Sequence, residues 1–135
     1  MKRKIKFRGI DTMSGEMVYG DLVQQELTDG SITTAIVQTY ATYDVKPETV
    51  GQFTGMHDKN GVEIYEGDLI HVEFDSPWGV QRYDGEIIFN KHSFNLKIHK
   101  VDGEKENPEV GGFLILNGDD NDLSVIGNVY DNSED

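Results

Sequence analysis

Residues 50–70 read Val-Gly-Gln-Phe-Thr-Gly-Met-His-Asp-Lys-Asn-Gly-Val-Glu-Ile-Tyr-Glu-Gly-Asp-Leu-Ile, and this stretch decides the fold. It places turn residues between two apolar runs. Asp58-Lys59-Asn60-Gly61 is typical of a tight turn, because asparagine and glycine adopt positive φ angles at little cost. Gly67-Asp68 then leads into Leu69–Phe74, where polar and apolar side chains alternate. The stretch therefore predicts a turn followed by a half-buried strand.

The residues before this stretch favour strands as well. Lys4–Arg8 alternates charged and apolar side chains, and Met17–Gln25 continues in extended backbone. Asp29-Gly30-Ser31 is a hairpin signal before the β-branched run Ile32–Val37. The first forty residues therefore predict a meander. Pro47 suits the first position of a single helical turn.

The residues after the stretch continue the pattern, with strands predicted over 80–89, 94–98 and 123–130. The expected fold is all-β, with about nine strands in small antiparallel sheets and at most one or two short helical turns. By analogy of strand order alone, the part after Gly67 is expected to form an SH3-like barrel. We expect one compact domain over 1–130, divided into subdomains 1–55 and 56–130, with an acidic tail at 131–135.

Charge and cysteine content limit the function classes. The 135 residues contain no cysteine, 12 basic and 25 acidic side chains, and the net charge is −13. Five of the bases lie in the first eight residues, whereas residues 101–135 contain ten acids and one base. This charge disfavours nucleic acid and anionic membranes as partners. With no signal-peptide core and no apolar window of 18 residues, the expected location is the cytoplasm.

Three short motifs resemble one known family. Gly51-Gln52-Phe53-Thr54-Gly55, Asp58-Lys59-Asn60-Gly61 and Glu63-Ile64-Tyr65-Glu66-Gly67-Asp68 resemble the signature of the YopX family. The opening Phe7-Arg8-Gly9 and the closing Val125–Tyr130 resemble the ends of that family, so the resemblance spans nearly the whole chain. The family pattern leads us to expect Tyr at Phe53 and Leu at Met56, and both departures keep an apolar side chain.

The resemblance implies a small protein encoded by a bacteriophage or prophage. The family has no established activity and no catalytic residues to transfer. It also implies a ring-like homo-oligomer, with a hexamer as the expected form. The motif positions, which we expect to be mainly structural, are Gly51, Gln52, Thr54, Gly55, Asp58, Gly61, Ile64, Tyr65, Glu66, Gly67 and Asp68.

Three groups of side chains raise the question of catalysis or metal binding. Glu63, Glu66 and Asp68 are close in sequence, but the backbone of a turn is the commoner partner of such an aspartate. The four histidines, at 57, 71, 92 and 99, lack the spacing of a zinc site. The acidic run 119–122 lacks the closing glutamate of a calcium loop. We therefore expect no catalytic residue, no metal and no cofactor.

Two surfaces are candidates for a partner. The basic N-terminal stripe contains Lys2, Arg3, Lys4, Lys6 and Arg8. Such a stripe can meet phosphates, although lysines on an edge strand also block unwanted pairing. The second surface is the loop around Pro77, where exposed Trp78 and Tyr83 would face a partner; the alternative is that Trp78 caps the core.

The acidic surface and the lack of a catalytic constellation predict a non-catalytic interaction protein. With the phage context that the resemblance implies, we expect an accessory protein that binds a host or phage protein in the bacterial cytoplasm. One alternative is a role with nucleic acid, through the basic stripe or through DNA mimicry by the acids of 101–135. Another is a small hydrolase that uses Glu66 or Asp68.

Overall fold

A computed structural model describes residues 4–77, 79–90, 93–101, 104–105, 109–110 and 122–130. The first six strands are β1 (Phe7–Ile10), β2 (Met17–Glu26), β3 (Ile32–Val37), β4 (Thr42–Asp44), β5 (Gly51–His57) and β6 (Glu63–Tyr65). The others are β7 (Asp68–Ser76), β8 (Gly79–Asn90), β9 (Ser93–Val101), β10 (Glu104–Lys105), β11 (Glu109–Val110) and β12 (Asp122–Asn128). The all-β prediction is confirmed.

The number of strands differs from the prediction, since twelve are described where about nine were expected. The additional strands have two or three residues, as in β4, β6, β10 and β11, and are too short to give a period-two signal. The predicted helical turn at Pro47 is present as the 3-10 turn Pro47–Thr49.

The chain divides into two compact units, residues 1–53 and residues 54–135, and the boundary lies within β5. The expectation of one domain with two subdomains stays a prediction.

In the first unit the strands are ordered β4-β3-β2-β1-β5, and the neighbours pair antiparallel. The predicted meander is therefore confirmed. The buried apolar side chains of this unit are Ile36, Val45 and Phe53. Gly20 is required by close packing, because a Cβ at this position would lie 2.5 Å from the carbonyl oxygen of Val37.

In the second unit a sheet has the order β10-β9-β8-β7-β12, and β11 also pairs with β9. Its core consists of the fully buried side chains of Ile64, Ile70, Val72, Ile87, Leu96 and Leu123. Each such side chain stabilises the fold by at most about 1.5–3 kcal/mol. The alternation predicted for 69–74 is seen at Ile70 and Val72, which face this core.

The predicted SH3-like barrel is not confirmed. Among the described strands the second sheet is an open path with β10 at one end and β12 at the other. Strand order alone does not determine closure, because a barrel also requires a matching tilt and register of the strands.

Candidate functional site

The turn at 58–61 is held by one buried carboxylate. Asp58 is only 7% exposed. Its Oδ1 accepts hydrogen bonds from the backbone N–H groups of Asn60 (2.8 Å) and Val62 (2.9 Å). Its Oδ2 accepts one from the N–H of Val125 in β12 (2.9 Å). The N–H of Lys59 donates to the carbonyl of Leu123 (3.0 Å), so the turn is fastened to β12 at two points.

These contacts determine the charge of Asp58. Burial alone raises the pKa of the carboxyl, but the three backbone donors, from Val125, Val62 and Asn60, outweigh it and hold the pKa below the ordinary 3.8. A carboxylate that stays ionised and is occupied by backbone donors is poorly suited to act as a general acid at neutral pH. In this geometry Asp58 organises the backbone.

A second buried carboxylate closes the turn between β6 and β7. Asp68 is 2% exposed, and its Oδ2 accepts a hydrogen bond from the N–H of Tyr65 (2.7 Å). Gly67, which lies between Tyr65 and Asp68, has a φ of +95°, a backbone conformation that glycine adopts without strain because it has no Cβ. Its N–H donates to the carbonyl of Ile87 (2.8 Å), and its carbonyl accepts from the N–H of Val129 (2.9 Å). This turn therefore connects to β8 and to the chain after β12.

The other motif positions also lie in the framework. The Thr54 hydroxyl donates to the carbonyl of Ile64 (2.9 Å) and accepts from the N–H of Met56 (3.1 Å). The Tyr65 hydroxyl donates to Glu63 (3.0 Å), and the Tyr65 side chain is buried. Gly51 is buried, Gln52 and Glu66 are half-buried, and Gly55 and Gly61 have φ angles of +89° and +84°.

The basic stripe is less exposed than its sequence suggests. Arg8 is 3% exposed. Lys6 is half-buried, and its Nζ lies 5.7 Å from the centroid of the Phe53 ring, within cation–π range. Lys4 is exposed, and Lys2 and Arg3 lie outside the described residues. Within the described part of the stripe, Lys4 is the exposed base.

The second candidate surface and the acidic run are described only in part. Tyr83 is half-buried and packs against the core of the second unit. Trp78, the run 119–121 and the side chains of residues 92, 99 and 122 lie outside what the structure describes. Among the described residues, no cluster of histidine and carboxylate side chains is arranged to hold a metal.

His71 lies in a charged cluster formed by facing residues of β7 and β8. Register places His71 opposite Asp84 and Glu73 opposite Arg82. Nδ1 of His71 lies 2.5 Å from Oδ1 of Asp84, and Nε2 lies 2.9 Å from Oε2 of Glu73. Nε of Arg82 lies 3.5 Å from the same Glu73 oxygen. The cluster is partly exposed, since the His71 side chain is 31% accessible.

The two carboxylates raise the pKa of His71 above 6.5, through the hydrogen bond to Glu73 first and then the one to Asp84. The same contact to His71, followed by the charge of Arg82, lowers the pKa of Glu73. An Asp–His pair can orient a general base, but the base then needs its second nitrogen facing a substrate. Here Glu73 occupies that nitrogen, so the cluster is arranged as a set of surface ion pairs.

In the described part of the first unit, the longest run of consecutive exposed residues is the end of the β2–β3 hairpin, residues 23–33, which we call the hairpin arm. All eleven of these residues are exposed. Three of them are large and apolar: Val23 is 47% exposed, Leu27 44% and Ile32 62%. The tip is ordered by Asp29, whose Oδ1 accepts from the N–H (2.9 Å) and hydroxyl (2.6 Å) of Ser31.

Sequence reasoning did not find the arm or the His71 cluster. Val23, Leu27 and Ile32 have the residue types of a core, and nothing in their spacing distinguishes an exposed apolar side chain from a buried one. The partners of His71 depend on strand register, because Asp84 lies thirteen residues away across a loop. The alternation of residues 69–74 did place Glu73 on the same face of the strand as His71, so this one contact could have been predicted from the sequence.

The comparisons with known proteins agree with this architecture. The family model described as YopX protein matches residues 6–135. The chain belongs to the YopX family. Among solved structures, protein EF1440 from Enterococcus faecalis is similar, with a TM-score of 0.54 and 23% identity over 97% of this chain and 96% of that one. At this identity the YopX-family chain shares a fold with EF1440, and the likeness shows no more than that.

No curated protein sequence matches the chain. In the described part of the molecule, no helix has the length and apolarity to cross a membrane.

Proposed function

We propose that this YopX-family chain is a non-catalytic accessory protein of a phage or prophage, and that it acts by binding other proteins in the bacterial cytoplasm. The observation that carries the proposal is the hairpin arm. A ribbon of two strands is marginally stable alone in water. This ribbon exposes Val23 on one face and Ile32 on the opposite face, and Leu27 is exposed beyond the end of β2. We take these exposed apolar side chains as contacts for a protein partner.

The chemistry of the described residues supports binding over catalysis. Asp68, one of the acid–base candidates from the sequence, is buried and accepts a hydrogen bond from a backbone N–H group, and the turn residue Asp58 is held in the same way. His71 has both ring nitrogens engaged by carboxylates. A catalytic acid or base needs access to a substrate proton, and none of these three groups offers it.

The charge of the chain supports a protein partner over nucleic acid. The net charge is −13, and the described part of the basic stripe exposes Lys4 while Arg8 is buried. Phosphate binding requires several exposed bases on one surface. The phage context and the homo-oligomer come from the family resemblance, and they complete the proposal of a protein that assembles and then binds a host or phage protein.

The test is a tagged pull-down from host cells during phage growth, with nuclease-treated and untreated lysates compared by mass spectrometry. The bait is used as wild type, as Ile32→Ser in the arm, and as Tyr40→Ser, a matched control at a side chain that is 98% exposed outside the arm. We expect a protein partner that survives nuclease, is retained by the control and is lost with Ile32→Ser. Loss of every partner on nuclease treatment would contradict the proposal and support a nucleic-acid role.

A further inference from the structure

Asn60 and Gly61 form the exposed corner of the turn at 58–61, and they are a chemically reactive pair. The side-chain amide carbon of an asparagine lies within reach of the backbone nitrogen of the next residue, and attack by that nitrogen closes a five-membered succinimide ring. Glycine favours the attack because it has no Cβ to obstruct its nitrogen. The two residues that suit the backbone of this turn are therefore also a place where the chain is able to modify itself.

Water is the co-reactant that the modification needs. The nitrogen of Gly61 loses its proton and bonds to Cγ of Asn60, while the side-chain nitrogen of Asn60 leaves with that proton as ammonia. Water then opens the ring. Opening at the side-chain carbonyl gives aspartate, and opening at the backbone carbonyl gives isoaspartate, in which the main chain runs through the side-chain carbons. Either product replaces a neutral amide with a carboxylate.

The folded turn withholds the attacking nitrogen. The N–H of Gly61 donates to the carbonyl oxygen of Asp58 (3.0 Å). The amides on either side, those of Asn60 (2.8 Å) and Val62 (2.9 Å), both donate to Oδ1 of the same Asp58. One residue thus binds three successive amides, so the Gly61 nitrogen has to leave its hydrogen bond before the ring is able to close. The rate then follows the fraction of time for which the turn is locally open.

We propose that Asn60–Gly61 is a self-modification site, and that Asp58 keeps it unreactive in the folded protein by binding the three amides of the turn. An isoaspartate at position 60 lengthens the main chain between the amides of Asn60 and Val62, so that they no longer both reach Oδ1. Because Oδ2 of Asp58 accepts from the N–H of Val125 (2.9 Å), the change at the turn extends to β12. The proposal is independent of the hairpin arm.

The test is peptide mapping by mass spectrometry of the full chain, kept at mildly alkaline pH in buffer and in urea. In urea we expect Asn60 to gain the mass that accompanies replacement of an amide NH₂ by OH. In buffer the same change should be slower by roughly tenfold or more, and tenfold corresponds to about 1.4 kcal/mol of local stability. Equal rates in buffer and urea, or an unmodified Asn60 in urea, would overturn the proposal. This comparison needs no substitution.

Replacing Asp58 tests its role in the protection. Asp58→Ala, shown to be folded by circular dichroism, should react at a rate approaching that of the wild type in urea. The matched control is Asp29→Ala, which removes a similar side-chain acceptor at the tip of the arm and should react as slowly as the wild type. If the alanine variant does not fold, Asp58→Asn serves instead, and its neutral acceptor should give an intermediate rate. A folded variant at Asp58 that reacts as slowly as the wild type would overturn this role.

Replacing Gly61 tests the succinimide route. An added Cβ at this position meets nothing within 4 Å, although the φ of +84° strains any residue other than glycine. In urea the strain is absent, and the Cβ of Gly61→Ala should slow modification of Asn60 by obstructing the nitrogen. A Gly61→Ala chain that is modified in urea as fast as the wild type would overturn the route.

Discussion

Replacing Asp58 is the most direct test of whether the motif at 51–68 stabilises the fold. Replacing it with alanine removes the acceptor of three backbone N–H groups, those of Asn60, Val62 and Val125. A hydrogen bond to a charged group contributes about 1.5–3 kcal/mol net. Because Asn60 and Val62 are exposed, water replaces part of the loss at those two amides. We therefore expect Asp58→Ala to lower the free energy of unfolding by about 3–5 kcal/mol.

Asp58→Asn distinguishes the hydrogen bond from Val125 from those of Asn60 and Val62. The remaining amide oxygen keeps the acceptor for Asn60 and Val62, while the new NH₂ group faces the N–H of Val125. The expected loss is about 2 kcal/mol, from one bond to a charged acceptor. The matched control is Asp29→Ala, which removes a similar local bond to Ser31 at the exposed tip of the arm, and we expect a smaller loss there.

The assay is urea unfolding of the three variants, together with amide hydrogen exchange. The Asn variant should expose the Val125 amide to exchange and leave those of Asn60 and Val62 protected. The folded pKa of Asp58 lies below 3.8, so its stabilising contribution is present above that pH and is lost as the pH falls through the folded value. The wild-type advantage over Asp58→Asn should therefore shrink in acid. A loss for Asp58→Ala no larger than that for Asp29→Ala would refute the reasoning.

Three further predictions concern the second unit. The folded pKa of His71 is raised above 6.5, so its stabilising contribution is present below that pH and is lost as the pH rises through the folded value. The urea midpoints of wild type and His71→Asn should therefore converge at alkaline pH. A difference between the two midpoints that does not change with pH would contradict this. Gly67→Ala places a Cβ at a φ of +95° and should lower stability by about 1–3 kcal/mol in urea titrations, whereas an unchanged midpoint would show that the turn relaxes freely. Asp68→Ala should reduce the thermal midpoint, because it removes the buried carboxylate that accepts from the N–H of Tyr65, and a variant as stable as the wild type would show that this bond does not stabilise the fold.

Much of the fold follows from local patterns. Asp29-Gly30-Ser31 predicts the β2–β3 hairpin because the aspartate side chain bonds the backbone two residues on, as it does here with Ser31. Pro47 predicts the 3-10 turn because its φ is fixed near the helical value. Such signals act over a few residues, and the sequence contains them explicitly.

The remaining features depend on residues far apart in the chain. The bond from Val125 to Asp58 spans 67 residues, and it depends on where β12 packs, which no local pattern encodes. The His71–Asp84 contact depends on the register of β7 and β8, and a shift of one residue would reverse every side chain. Val23 and Ile32 are exposed because the neighbouring strands end before they reach these residues. Their apolar character alone would have predicted buried side chains.

The central claim is that the chain acts by binding through the hairpin arm. The most direct measurement is backbone hydrogen exchange of the full chain, alone and mixed with the protein partner that the pull-down recovers. The account predicts that exchange across residues 23–33 slows in the mixture, while the amide of Val125, which Asp58 already protects, exchanges at the same rate in both samples. Equal exchange of the arm with and without that partner would contradict the claim.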